Sequence, residues 1–520
     1  MHRLVVALTT LLALTGLAVV AGYLFIFGPA VDRAAAVAPS DTAIYASVYL
    51  TPSAGQQRRI GELLSLLPGF ADQAALPGKI DELSQRLLDT AGVDYRRDVA
   101  PWIGDEVAVA IRTPTSGVPL LIAAVRDEAA ARAALGRVAA QGGATASTED
   151  YQGIIVTKLS GAGVAAGSFA IVDRMLVASS DRAMVIAAID ASLGRAGSLA
   201  NAASFRSAMA ALPADRLGSV FLDLAASASS VGQAAQAGGF STAGLAVVVQ
   251  ADGLQLIGRA PVDPSAASAS ARAVLGLGSE PASLTDWMPE KTQAELVFFG
   301  ARQTFDTVVA QLGSAPGGEQ IASSLTQLRA LATLGLGIDL DRDLLSLFDR
   351  EAAIAVTDVS GNVPRGQLLL RPNDARAAAD SLQRIGAGLK ARGLDVTERQ
   401  VAGTTVTSVT VPQIGAVSFA ISDGVVIAGL TTDDVGAALQ AHASGKTLAT
   451  SAAYQAAFER GGGRGGNEVY VEGTRLASLL GGIFDLPSDA RDMLTHLGVL
   501  ALAVPTHDNQ IEIHATVTVH

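Results

Sequence analysis

The chain has 520 residues, 49% of them apolar and 17% charged, with a formal net charge of −12 at pH 7. It is long enough for two or three domains and apolar enough to fill large cores, which excludes wholesale disorder. The acidic balance, with no basic run beyond pairs such as Arg58-Arg59, disfavours nucleic acid and strong docking on anionic headgroups, and the absence of cysteine excludes disulfides and thiolate chemistry.

The first element is an uncharged run, Leu4 to Phe27. As a helix it would measure roughly 36 Å, enough to cross a bilayer core of about 30 Å. Arg3 precedes it, while Asp32 offsets Arg33 behind it. The charge rule therefore predicts a single-pass signal-anchor in the cell membrane, N-terminus cytoplasmic and main body extracytoplasmic. The rival reading is a cleaved signal, with the small residues Ala36–Ala38 as its processing site. Residues 1–37 are expected to be tip, anchor and stalk.

"TAIYASVYL" alternates and reads as a strand, followed by a helical region from about Gln56 to Thr90. "EVAVAI" and "PLLIAAV" read as strands, and "RDEAAARAALGRVAAQ" as a helix with Asp127 at its N-cap. "GIIVTKL", "SFAIVD" and "RMLVASS" are closely spaced strands with a turn at Asp173-Arg174. Two short helices, "SVFLDL" and the closing pair "AGLAVVVQ" and "LQLIGRA" complete the set.

The same order then recurs about 250 residues later. "APSDTAIYASVYL" matches "MPEKTQAELVFFG", "RDVAPWIGDEVAVAI" matches "RDLLSLFDREAAIAV", "SFAIVD" matches "SFAISD", "LANAASFRSAM" matches "LATSAAYQAAF", and "SVFLDL" matches "EVYVEG". Collinear matches of this kind predict an internal duplication. The expected organisation is α+β: a first repeat over 38–262, a linker over 263–287 and a second repeat over 288–520. Each repeat is read as a lobe with a largely antiparallel sheet and helices on one face. Trp102 should fall in the same place as Leu347, Phe169 as Phe419, and Phe221 as Tyr470.

Several stretches imitate chemistry. Trp102 lies between Pro101 and the acids Asp105 and Glu106, but its counterpart is Leu347, so a core plug explains both better than a site. Adjacent strand residues such as Asp105 and Glu106 face opposite sides and cannot share a proton path. "SGKT" at Ser444–Thr447 lacks the first glycine of a phosphate loop, the position being Gln440. "DLDRD" at Asp339–Asp343 lacks the glycine and glutamate of a calcium loop, where Leu344 and Arg350 stand. It reads as a helix end with solvated charges. His442, His496, His507, His514 and His520 fall late, with Glu512, His514, Thr516, Thr518 and His520 sharing a polar strand face that reads as wet. "GGGRGG" at Gly461–Gly466 reads as a flexible loop.

No catalytic, cofactor-binding or metal-ligating residue is assigned, and no cofactor is expected. "APSDTAIYASVYLTPSAGQ", "LLPGF" and "VDYRRDVAPWIGDEVAVAI" resemble the bacterial family of unknown function numbered 3352 over most of the chain past the apolar run. The resemblance implies one N-terminal membrane segment and an exported body, and carries no activity or site. The expected function is therefore an uncharacterised cell-envelope binding or scaffolding protein, with an envelope protein or lipid as partner. The alternative is a hydrolase using carboxylates such as Glu106 or Glu351.

Overall fold

The computed structural model describes residues 32–51, 53–66, 85, 93–112, 117–161, 164–226, 235–314, 323–324, 326–327, 329–330, 332–358, 364–411, 415–473 and 496–519. The chain divides into two compact units, residues 1–267 with 519–520, and residues 268–518.

The first unit contains β1 (Ile44–Tyr49), β2 (Ile103–Ile111), β3 (Leu120–Val125), β4 (Thr145–Tyr151), β5 (Ile154–Gly161), β6 (Val164–Val172), β7 (Met175–Ser179), β8 (Gly218–Asp223), β9 (Thr242–Gln250) and β10 (Gly253–Pro261). All its ladders are antiparallel, in the order β4–β5–β6–β7–β3–β2–β1–β8–β9–β10. The second contains β11 (Ala294–Phe299), β12 (Glu351–Asp358), β13 (Arg365–Arg371), β14 (Val396–Val401), β15 (Thr404–Val411), β16 (Gly415–Ser422), β17 (Val425–Gly429), β18 (Asn467–Glu472), β19 (Leu497–Val504), β20 (Thr506–His507) and β21 (Gln510–Val519). Its order is β14–β15–β16–β17–β13–β12–β11–β18–β19–β21, with β20 on β21.

Two expectations are corrected. Hydrogen-bonded ladders join all 21 strands into one sheet, so the layout of two homologous lobes, each with its own sheet, does not hold. Helices do not keep to one face either. In β3, Leu120, Ile122 and Ala124 pack with Val185 and Ile189 of the helix Arg182–Ser192. Leu121, Ala123 and Val125 pack with Ala131 and Ala134 of the helix Glu128–Gln141. The continuous apolar run "LLIAAV" is what a strand covered on both faces requires.

The membrane expectation is corrected as well. Among the described residues no helix is long and apolar enough to cross a membrane. The run Leu4–Phe27 lies outside the described residues, so neither a single-pass anchor nor an extracytoplasmic body has structural support. The expected stalk is partly core: Ala34, Ala35, Val37 and Ala38 are all buried. A cut at Ala36–Ala38 would remove these contacts.

Local signals act as their chemistry dictates. Asp127 caps its helix by accepting from the Ala130 N–H at 2.9 Å. Asp173 and Arg174 both take positive φ in the tight β6–β7 turn, as do Asp423 and Gly424 between β16 and β17. Trp102 is 5% exposed and its indole N–H donates to the Asp98 carbonyl at 2.6 Å. Leu347, aligned with it, is 2% exposed and has no hydrogen-bonding side-chain group, and the nearby Ser346 hydroxyl bonds a different carbonyl, that of Arg342, at 2.6 Å. The plug is thus hydrocarbon in both, and the hydrogen bond is separable from it. Trp102→Ala is expected to destabilise the protein by about 3–5 kcal/mol, and Trp102→Leu by much less, in urea unfolding followed by circular dichroism.

Candidate functional site

The carboxylates singled out from sequence are brought to defined places. Asp105 is exposed and pairs with Arg33, while Glu106 turns inward and is 1% exposed. Glu106 Oε2 accepts from the backbone N–H groups of Arg33 at 2.9 Å and Ala34 at 3.2 Å. Glu351 does the same for Ser283 at 2.7 Å and Leu284 at 2.8 Å. Both hold the start of a short helix, Ala34–Val37 and Leu284–Trp287 respectively.

The calcium-like stretch does not converge on a cation. Asp339 caps the turn through the Arg342 N–H, Asp341 pairs with Arg329, and Asp343 is held by Arg342 and Arg384. The reading of solvated charges is corrected for Asp343, which is fully buried; the two guanidiniums hold its carboxyl well below the usual range. Asp98 repeats this with Arg97 and Arg137. "SGKT" is the turn after the helix Thr432–Ser444, with Gly445 left-handed at its end.

His442 stacks on Trp287 with ring centres 3.6 Å apart. His514 Nε2 lies 2.8 Å from Glu512, so these neighbours do meet. The wet-face reading of this strand is corrected, because Thr516 and Thr518 are 2% and 6% exposed. His520 lies outside the described residues.

The feature the sequence reading missed is centred on "GGGRGG". Gly462, Gly463, Gly465 and Gly466 all have positive φ, which folds the loop tightly rather than leaving it slack. The turn delivers Arg464 into a cluster. Its guanidinium bonds Glu468 at 3.0 Å and the Thr285 hydroxyl at 3.0 Å, and lies 4.9 Å from the centre of the Tyr454 ring. The Gly465 N–H adds a bond to Glu468 at 2.8 Å. The Tyr454 hydroxyl donates to Glu468 at 2.9 Å and stands 3.4 Å from Glu295. Glu295 and Glu468 are 2% and 0% exposed, and Glu295 Oε2 has no hydrogen-bond partner. Burial, then the charge of Glu468, pushes the Glu295 carboxyl well above the usual carboxylate range.

At the same ladder position the first unit carries aromatic rings. Tyr45 opposes Phe221 as Glu295 opposes Tyr470. Phe205, third in its helix as Tyr454 is in its own, packs edge-on against both Tyr45 and Phe221. The available signal was Glu295 itself, a charge at an inward position of an alternating strand. Chemically, the cluster sets one phenol between two buried carboxyl groups, with one guanidinium bonded to the second.

A group whose folded pKa is raised gives stability that is full below its unfolded pKa and fades as pH rises through the folded value. Glu295→Gln should therefore flatten the fall in thermal midpoint as pH is raised above about 5. Glu468→Gln, which strands Arg464, should cost about 3–5 kcal/mol at all pH values above the normal carboxylate range, measured by the same melts.

No curated protein is significantly similar to the chain. Solved structures of TP0453 share its features weakly. Crystal form III is 10% identical with a TM-score of 0.25, covering 45% of this chain and 81% of that one. Crystal form IV is 11% identical with a TM-score of 0.24, covering 46% and 82%. The family described as "Protein of unknown function (DUF3352)" matches residues 4–520, and to that family the chain belongs.

Proposed function

We propose that this protein is a binding or scaffolding protein made of two repeats, 38–262 and 288–520 joined by 263–287, and that its second repeat binds an apolar chain such as a lipid acyl tail. Support for the repeats is the common ladder order of the two units. It extends to details: the Thr42 hydroxyl donates to the Pro39 carbonyl at 2.7 Å, and Thr292 to Pro289 at 2.7 Å. Pro39 bridges to Ser198 as Pro289 bridges to Thr447.

The observation that carries the binding reading is an unequal sheet face. In the first unit a cross-strand row runs Ala46, Val109, Leu121, Ala178, Phe169. Its last three members are 3%, 5% and 7% exposed. The corresponding row of the second unit runs Leu296, Ile354, Leu368, Ala428, Phe419. Here Leu296 and Ile354 are 39% and 42% exposed, where Ala46 and Val109 are half-buried, and Leu368, Ala428 and Phe419 are half-buried where their counterparts are buried. A groove of about 400 Å³ opens over this row, walled by Ile354, Val356, Leu368, Val417, Ala428 and Leu430. That volume lies in the range of ligand pockets, and an apolar wall rewards burial of hydrocarbon. The carboxylates that would serve a hydrolase are instead engaged with backbone N–H groups.

A fluorescent fatty-acid probe should bind saturably to the full-length protein. Ala428→Trp, which fills the groove, should weaken that binding at least about tenfold without changing the melting profile. Absence of saturable binding to the wild type would end the acyl-chain reading. Extracts of the native protein would then be searched for protein partners instead.

A further inference from the structure

The groove over the second unit's sheet has two unlike ends. Toward one, the next cross-strand row, Ala352, Leu370 and Val426, is buried under the helix Ala375–Ala391, whose Ala378 and Leu382 pack with it. That end is closed by hydrocarbon. Toward the other, β13 begins with Arg365 and Gly366, and β17 gives way through Leu430 to the helix Thr432–Ser444. Gly366 leaves bare main chain here, because a Cβ on it would collide with the Ala355 carbonyl. Among the described residues that wall the groove, Arg365 is the one that carries a charge.

The Arg365 side chain is half exposed, and its guanidinium is anchored along one edge. Nε and Nη2 donate to Asp434 Oδ1 at 3.1 and 2.9 Å, and Nη2 also reaches the Thr431 hydroxyl at 3.3 Å. Nη1 bonds no described residue, so its two N–H groups remain available as donors. Asp434 is 3% exposed, and its other oxygen takes the Thr431 N–H at 3.0 Å and hydroxyl at 2.6 Å. The first unit has no such end. Counting from the aligned pairs Leu121 with Leu368 and Ala178 with Ala428, Val118 stands in the place of Arg365 and Met184 in that of Asp434. Both of those pack into the hydrophobic core.

Charge decides which polar head this end takes. Asp434 balances Arg365, and two further acids lie beside them. Asp433 is exposed in the first turn of the helix Thr432–Ser444, and Asp358 is the ladder partner of Arg365. An ionised head would gain the Nη1 donors but meet an excess of negative charge. An uncharged oxygen gains the same donors without that repulsion. We infer, building on the acyl-chain reading above, that the ligand of the groove is a neutral acyl ester of the monoacylglycerol class. Its tail points toward the helix Ala375–Ala391, and its ester or hydroxyl oxygens accept from Arg365 Nη1.

The test is displacement of the fluorescent fatty-acid probe from the full-length protein by monolauroylglycerol or by laurate, at about pH 8, in low salt and below micelle formation. Monolauroylglycerol should displace the probe at a concentration at least about fivefold lower than laurate. Asp433→Asn removes one exposed charge and should tighten laurate about twofold to threefold, with little effect on the glyceride. Arg365→Val combined with Asp434→Met installs the pair that the first unit carries and leaves no buried charge stranded. That variant should keep its melting profile and lose at least about fivefold in glyceride affinity. Laurate binding as tightly as the glyceride, or undiminished glyceride binding by the double variant, overturns the assignment of the head and leaves the acyl-chain reading standing. Failure of the wild type to bind any of the three compounds overturns both.

Discussion

Glu106 and Glu351 carry the constraint on which much of this architecture rests. Each is a carboxylate on the inner side of a long strand, and each reaches across to the unpaired backbone N–H groups at the start of a short helix. Those helices lead directly into β1 and β11, the strands that pair on both sides. A helix start left unsatisfied inside the protein would cost the desolvation of its N–H groups. By capping them, the two glutamates allow Ala34, Val37, Leu284 and Trp287 to be buried as core. The central strands are thereby entered from a fixed direction.

Upon that shared frame the two units diverge in how they fill the space beneath the central strands. The first uses edge-on aromatic packing, Tyr45 against Phe205 and Phe205 against Phe221. The second places Glu295, Tyr454, Glu468 and Arg464 there instead. Burying ionic groups seldom gains stability over hydrocarbon of similar volume. The second arrangement is therefore the one whose existence calls for a use beyond holding the fold. The groove lies in the same unit, on a row more exposed than its counterpart.

Much of the fold could be read from the chain. Alternation placed the strands, Asp127 announced a helix start, and Leu347 in the slot of Trp102 identified a plug rather than a site. What could not be read follows from the limits of local pattern. Alternation says which residues share a face but not which face is covered, so Glu512, His514 and Thr516 were assigned to water. Recurrence of elements does not say how strands are joined into sheets, so a single sheet was read as two. Glu106 and the N–H groups of Arg33 and Ala34 lie far apart in sequence and are brought together only by the path of the chain. The role of "GGGRGG" was hidden because glycines permit looseness and tight left-handed turns alike.

That loop has a further consequence. A Cβ atom on Gly462 would lie 2.8 Å from His514 Nδ1, so the backbone there is pressed against the imidazole edge. Four glycines with positive φ set the route of the chain from this contact to Arg464 and Glu468. A side chain at Gly462 would thus be opposed twice, by the left-handed backbone and by the His514 ring, so the direction in which the chain departs toward Arg464 depends on that residue being glycine.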